Sequence, residues 1–294
     1  MQLSPIAAAA THTPADFERI ARTLDRVFTG SYGDQWENKA LPAVLRSGRS
    51  ADEIEAIGGA VAGSFRSDEQ AYSALVTSVA AQGSAAAIGA AIRGVDEVFD
   101  GSYGDAWEVK SLPTVYGSRH LDDAPVLLRA IAQAFASDEQ AHAALETTFT
   151  SARPAADSAV FVRDTDSAFA GSYGDAWENK ALRRGIGDAR SGAELSGIVQ
   201  AMGRTLASDE ARYQGYELAL GTSRTAGETA AIMGALDTLF DGSYGDQWEL
   251  KAARVALPSR LAADQVTGAA RAAQSMAGTD QARFSALETL LQHA

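Results

Sequence analysis

Asp25, Tyr32, Trp36 and Lys39 form a set of side chains that recurs three more times. The other sets are Asp96, Tyr103, Trp107 and Lys110; Asp166, Tyr173, Trp177 and Lys180; and Asp237, Tyr244, Trp248 and Lys251. An ammonium, a phenol and an indole together could line a pocket for an anionic or aromatic group. With the carboxylate they could instead build an ion-paired joint between helices. The last three members sit in one motif, GSYGDxWExK, whose copies occupy 30–41, 101–112, 171–182 and 242–253. All four tryptophans of the chain lie in it, and so do its only lysines, although 25 residues are Lys or Arg. Arginine is spread through the chain, so the restriction falls on lysine and not on positive charge.

The elements that must position these residues read as helices. In the first unit the apolar residues Phe17, Ile20, Ala21, Leu24, Val27 and Phe28 recur at helical spacing and predict a helix over about 15–28. Thr13 followed by Pro14 gives it an N-cap and a proline at its first position. Gly30 offers a left-handed cap at its end. A second helix is expected to begin at Asp34, with Asp34 and Glu37 as a capping box. Asp105/Glu108, Asp175/Glu178 and Asp246/Glu249 repeat that spacing. Ser50-x-x-Glu53 and Ser191-x-x-Glu194 start a third helix, and Ser67-x-x-Gln70 and Ser137-x-x-Gln140 a fourth. Trp36 shares a face with Ala40, Leu41, Val44 and Leu45, which predicts packing at the joint; an aromatic ladder lining a groove is the other reading.

Asp25 falls between Ala21 and Phe28, on the predicted apolar face and in the last turn, where the helix dipole disfavours an anion. It therefore needs a cation. Lys39, one turn into the antiparallel neighbour, is the expected partner, with Asp96–Lys110, Asp166–Lys180 and Asp237–Lys251 as its equivalents. Such a pair would set hairpin geometry more than it stabilises, because desolvation offsets the Coulomb gain.

A shorter period lies beneath the motif. Aspartates at 34, 68, 105, 138, 175, 209, 246 and 280 mark helix starts at alternating spacings. The elementary unit is thus a helical hairpin of about 35 residues. The expected fold is all-α, an α-solenoid of helical hairpins in four tandem repeats of about 70 residues, each two hairpins. The repeats would span 14–83, 84–154, 155–224 and 225–294 after a tail at 1–13. The segments Phe65-Arg-Ser-Asp-Glu-Gln-Ala-Tyr-Ser-Ala-Leu75 and Phe135-Ala-Ser-Asp-Glu-Gln-Ala-His-Ala-Ala-Leu145 resemble the helix starts of HEAT-type hairpin repeats. That resemblance implies a scaffold or binding role and carries over no catalytic residue.

Composition narrows the functions. A net charge of −13 repels phosphate backbones, which argues against nucleic acid. The chain has no cysteine, hence no disulfide or thiolate chemistry. No apolar run is long enough for a membrane span. Residues 1–10 lack the basic and long apolar regions of a secretion signal, and the compartment stays open between cytoplasmic and secreted. His12, His120, His142 and His293 fall at unrelated positions and give no metal or nucleophile pattern. Asp100-Gly-Ser-Tyr-Gly-Asp105 and Asp241-Gly-Ser-Tyr-Gly-Asp246 imitate a calcium loop but are half the length of one, and Thr29 and Ala170 replace the first carboxylate in the other copies. No metal, no cofactor and no catalysis are therefore expected. The chain should bind or scaffold a protein or peptide partner. The alternatives are a multivalent small-ligand or cation binder at the four joints, and an α/α-toroid hydrolase with an acid pair.

Overall fold

A computed structural model describes residues 12–100, 104–171, 173–241 and 245–293. The protein is all-α and of the α-solenoid class, with no strand among the described residues. It divides into two compact units, 1–150 and 151–294. The first holds α1 (Pro14–Val27), α2 (Gly33–Arg46), α3 (Ala51–Ser64), α4 (Asp68–Ala80), α5 (Ala85–Val98), α6 (Gly104–Gly117), α7 (Ala124–Ala134) and α8 (Asp138–Phe149). The second holds α9 (Ala155–Ala168), α10 (Gly174–Gly185), α11 (Gly192–Thr205), α12 (Asp209–Leu220), α13 (Ala226–Leu239), α14 (Gly245–Ala256), α15 (Ala263–Met276) and α16 (Asp280–His293).

Each unit is a two-layer stack. Odd-numbered helices pack on odd-numbered neighbours, even on even, and each odd helix pairs with the even helix that follows it. The odd layer carries most of the core: Ile54, Ile57, Val61, Ile88, Ile92 and Val95 in one unit, and Ile198, Val199, Ile232 and Leu236 in the other, are fully buried. Neither layer can bury both faces alone, so stacking supplies the core. Helix α1 buries Ile20, Leu24, Val27 and Phe28 as its spacing predicts, but Phe17 is 48% exposed, on the side away from α3 and α2, the described helices that α1 packs on most closely.

Several helix starts follow the sequence. Thr13 caps α1 in a full capping box with Asp16, with proline at the first turn. Ser50 and Glu53 make the same box on α3. Ser67, Ser137 and Ser191 each accept from the amide three residues on.

The expected capping boxes of the motif do not form. The caps of α2 and α10 are Tyr32 and Tyr173, with no side-chain cap bond. Asp105 and Asp246 instead reach back to the preceding hairpin. Asp105 accepts from the amides of Arg66 (2.9 Å) and Ser67 (3.3 Å), and Asp246 from those of Ala207 (2.9 Å) and Ser208 (3.0 Å). Asp68 likewise accepts from Gly30, 38 residues earlier. At Asp68, Asp105 and Asp246 the near-35-residue period of aspartates is thus a set of cross-links between hairpins. A carboxylate at a helix start still meets orphan amides, but they belong to the neighbour. The glycines also serve another end than predicted. Gly48 and Gly83 alone have positive φ among the described residues, so Gly30 is no left-handed cap. Gly245 is needed for close approach, since a Cβ there would lie 2.8 Å from the Phe240 carbonyl oxygen.

A second tie was not anticipated. Arg49, Arg153 and Arg224, just ahead of odd helices, are nearly buried and donate to carbonyls that end the next even helix. Arg224 Nε bonds Leu257 O at 3.1 Å, and its NH2 bonds Ser259 O at 2.6 Å and Leu261 O at 2.7 Å. Arg49 does the same for Val79 and Ala81, and Arg153 for Arg190 and Asp188. One planar fork thereby caps a helix C-terminus that has no glycine motif to do it.

Candidate functional site

The motif side chains flank the turn between an odd and an even helix, the tryptophans and lysines on the first turns of the even helix, and project to two sides. On the outer side, each lysine lies over the ring of the tryptophan three residues before it. The Nζ-to-centroid distances are 4.4 Å for Lys39–Trp36, 4.4 Å for Lys110–Trp107, 3.6 Å for Lys180–Trp177 and 4.7 Å for Lys251–Trp248. An i, i+3 pair shares one helix face, which is why this spacing repeats. The tryptophans are half-buried and the lysines exposed.

A third member completes each stack, and sequence reasoning missed it. Tyr72, His142, Tyr213 and Phe284 come from the next even helix and meet the tryptophans at 5.4, 5.2, 5.6 and 6.0 Å between centroids. The signal was available, because all four stand four residues after the repeating aspartates 68, 138, 209 and 280. Lys39 also lies 4.3 Å over Tyr72, and Lys251 4.3 Å over Phe284. His142 accepts or donates at Nδ1 to Ser111 (2.8 Å), and its pKa is pulled down by burial and by Lys110, which keeps the ring neutral.

The expected Asp25–Lys39, Asp96–Lys110, Asp166–Lys180 and Asp237–Lys251 ion pairs are absent among the described residues. The lysines turn outward onto the indole face. The aspartates stand at the rim and not in the core: Asp25 and Asp237 are exposed, Asp96 and Asp166 half-buried. An ammonium keeps its water over an indole, whereas pairing would strip water from both ions. Lys110→Met is accordingly expected to cost about 0.5–1 kcal/mol in urea unfolding, as an exposed cation–π contact does. A loss several times larger would restore the buried ion pair. Tyr32 and Tyr173 are 67% and 79% exposed, and Tyr103 and Tyr244 lie outside the described residues.

The inner side is acidic. Glu108, Glu178 and Glu249 fold back beneath the start of their own helices and are only 2%, 2% and 3% exposed. The Oε2 atom of each has no hydrogen-bond partner. Burial, then the neighbouring aspartates, pushes all three carboxyls up to about 8: Asp96 and Asp105 act on Glu108, Asp166 and Asp175 on Glu178, and Asp237 and Asp246 on Glu249. Glu37, less buried, moves the same way. Burial and nearby aspartates also raise Asp96, Asp166 and Asp237. The glutamates that looked like helix caps are therefore buried acids held largely protonated at neutral pH. Among the described residues no three acidic or imidazole groups converge as ligands of one metal ion.

No helix of the described residues is long and apolar enough to cross a membrane. Comparison with known protein families, curated proteins and solved structures returns no match for this chain.

Proposed function

We propose that the protein is a non-catalytic docking module that recognises an extended acidic and aromatic segment of a partner protein. The observation that carries this reading is the exposed Lys–Trp–aromatic stack, built the same way at four joints. In a chain of net charge −13 these lysines place positive charge on half-apolar platforms. The ammonium's outer face is free to meet a carboxylate, and the ring edges to meet an aromatic side chain. Tyrosine, tryptophan and a cation with little conformational freedom are the usual anchors of protein recognition.

Spacing favours a segment over a small ligand. Within the first unit α2 and α6 are separated by α4 in the even layer. Two helix spacings amount to roughly 16–20 Å. An extended chain covers that in about five or six residues. A partner with acidic–aromatic clusters at that interval could engage both Lys39 and Lys110, and the second contact would gain from effective concentration.

Intrinsic fluorescence tests the proposal, since every tryptophan stands at a joint. A synthetic peptide carrying two Glu-Tyr clusters about six residues apart should shift the emission and bind more tightly than a peptide of the same composition with the clusters adjacent. Lys39→Met with Lys110→Met should weaken it by about tenfold or more. Equal binding of both peptides, or binding untouched by the double substitution, would overturn the reading.

A further inference from the structure

The third joint carries a pair of arginines that no other joint has. Arg183 and Arg184 stand three and four residues after Lys180, in the last turn of α10. The same two places hold Pro42 and Ala43 after Lys39, Pro113 and Thr114 after Lys110, and Arg254 and Val255 after Lys251. One cation in a last turn serves the helix dipole, as Arg46 and Arg254 do on α2 and α14. Lys180, Arg183 and Arg184 are neighbours on one side of a helix and repel one another, so the dipole alone does not call for all three.

These cations are not balanced locally. All three are exposed, and none is in an ion pair among the described residues. The acids after α10 and on α12 are engaged elsewhere. Asp188 pairs with Arg190 at 3.0 Å and Asp209 with Arg212 at 2.9 Å. Glu210 accepts from Gln214 at 3.2 Å, and Glu217 from the Tyr213 hydroxyl at 3.0 Å. Trp177 and Arg184 lie seven residues apart, two turns along one row of α10. Tyr213 reaches this row from α12, its ring 5.6 Å from Trp177. Burial and then Glu217 push the Tyr213 phenol up, and Arg184 is the cation that acts against them. An aromatic floor thus ends on a rim of three free cations.

An aromatic ring that carries a dianion matches this arrangement. The ring stacks on Trp177 and Tyr213. A phosphate on it brings a charge of about −1.5 to −2 and three strong acceptor oxygens. Guanidinium forks take such oxygens two at a time. A carboxylate offers a single charge, too little for three cations. The net charge of −13 does not forbid the contact, because at physiological salt exposed charges beyond about 8 Å are largely screened. We propose that the third joint is a phosphotyrosine site, with the ring on Trp177 and Tyr213 and the phosphate on Lys180, Arg183 and Arg184. The proposal rests on the reading of the joints as docking platforms and names, for one of them, the residue that the docked segment presents.

Fluorescence anisotropy on the full chain tests it, with the labelled two-cluster Glu-Tyr peptide carrying one tyrosine either free or phosphorylated. Phosphorylation should tighten binding by about tenfold or more. In the variant Arg183→Ala with Arg184→Ala, exposed positions where folding is not at stake, that ratio should fall to about twofold or less. Phenyl phosphate should displace the phosphopeptide at a concentration at which inorganic phosphate does not. If both peptides bind equally, the phosphotyrosine site is overturned and the docking of segments stands. If neither binds, both readings fall. A ratio unchanged in the arginine variant, or inorganic phosphate displacing as well as phenyl phosphate, also overturns the site.

Discussion

Raising the pH from 4.5, the ordinary glutamate value, to about 8 is expected to destabilise this fold progressively. Glu108, Glu178 and Glu249 keep their protons in the folded state across that window and lose them in the unfolded chain. The unfolded state then binds fewer protons, so the unfolding free energy falls as pH rises. Each such group contributes a slope of about 1.4 kcal/mol per pH unit, before neighbouring rearrangement reduces it. Asp16, Glu53, Glu55 and Glu228 work in the opposite sense, since hydrogen bonds and arginines hold their carboxyls low. Their stabilisation is lost only on acidification below the ordinary carboxylate range. The stability maximum should therefore be mildly acidic. Urea midpoints measured through this range check it, and the triple variant Glu108→Gln, Glu178→Gln, Glu249→Gln should flatten the alkaline limb. A parent chain whose midpoint stays level or rises up to pH 8 would show that these carboxyls titrate normally.

Arg224→Ala is the substitution expected to cost the most among single surface-proximal changes, about 3 kcal/mol or more. Its guanidinium satisfies the carbonyls of Leu257, Ser259 and Leu261 while 9% exposed, and its departure leaves them without donors. Arg224→Lys should recover little, because a single ammonium cannot reach three carbonyls spread around a turn. Urea unfolding of both variants distinguishes this from a simple charge effect: a lysine variant that matches the parent chain would mean that charge alone matters. Arg153→Ala should behave alike for the same reason, with Asp188 and Arg190 carbonyls released.

The helices were legible because their signals are local. Apolar residues at Ile20, Leu24 and Val27 and caps at Thr13, Ser50 and Ser67 act within one or two turns, and the structure keeps them. The eightfold aspartate period was legible too, but its meaning was not. A carboxylate at a helix start satisfies orphan amides whether they belong to its own helix or to the turn of the previous hairpin, and spacing alone does not tell the two apart. The ion pairs of Asp25, Asp96, Asp166 and Asp237 failed for a related reason. Charge complementarity identified a possible partner for each lysine, but not the indole face that stood nearer.

The sequence by itself determined the all-helical hairpin period, and it confined every lysine and tryptophan to one motif beside a recurring turn. Both are consequences of short-range preferences repeated along the chain. Only the tertiary structure decided which side of that turn each charge faces. Stacking brings Tyr72, His142, Tyr213 and Phe284 from the next even helix under the tryptophans, and it closes Glu108, Glu178 and Glu249 away from water. Burial of a carboxylate depends on how the chain packs around it, which the spacing of the motif does not encode.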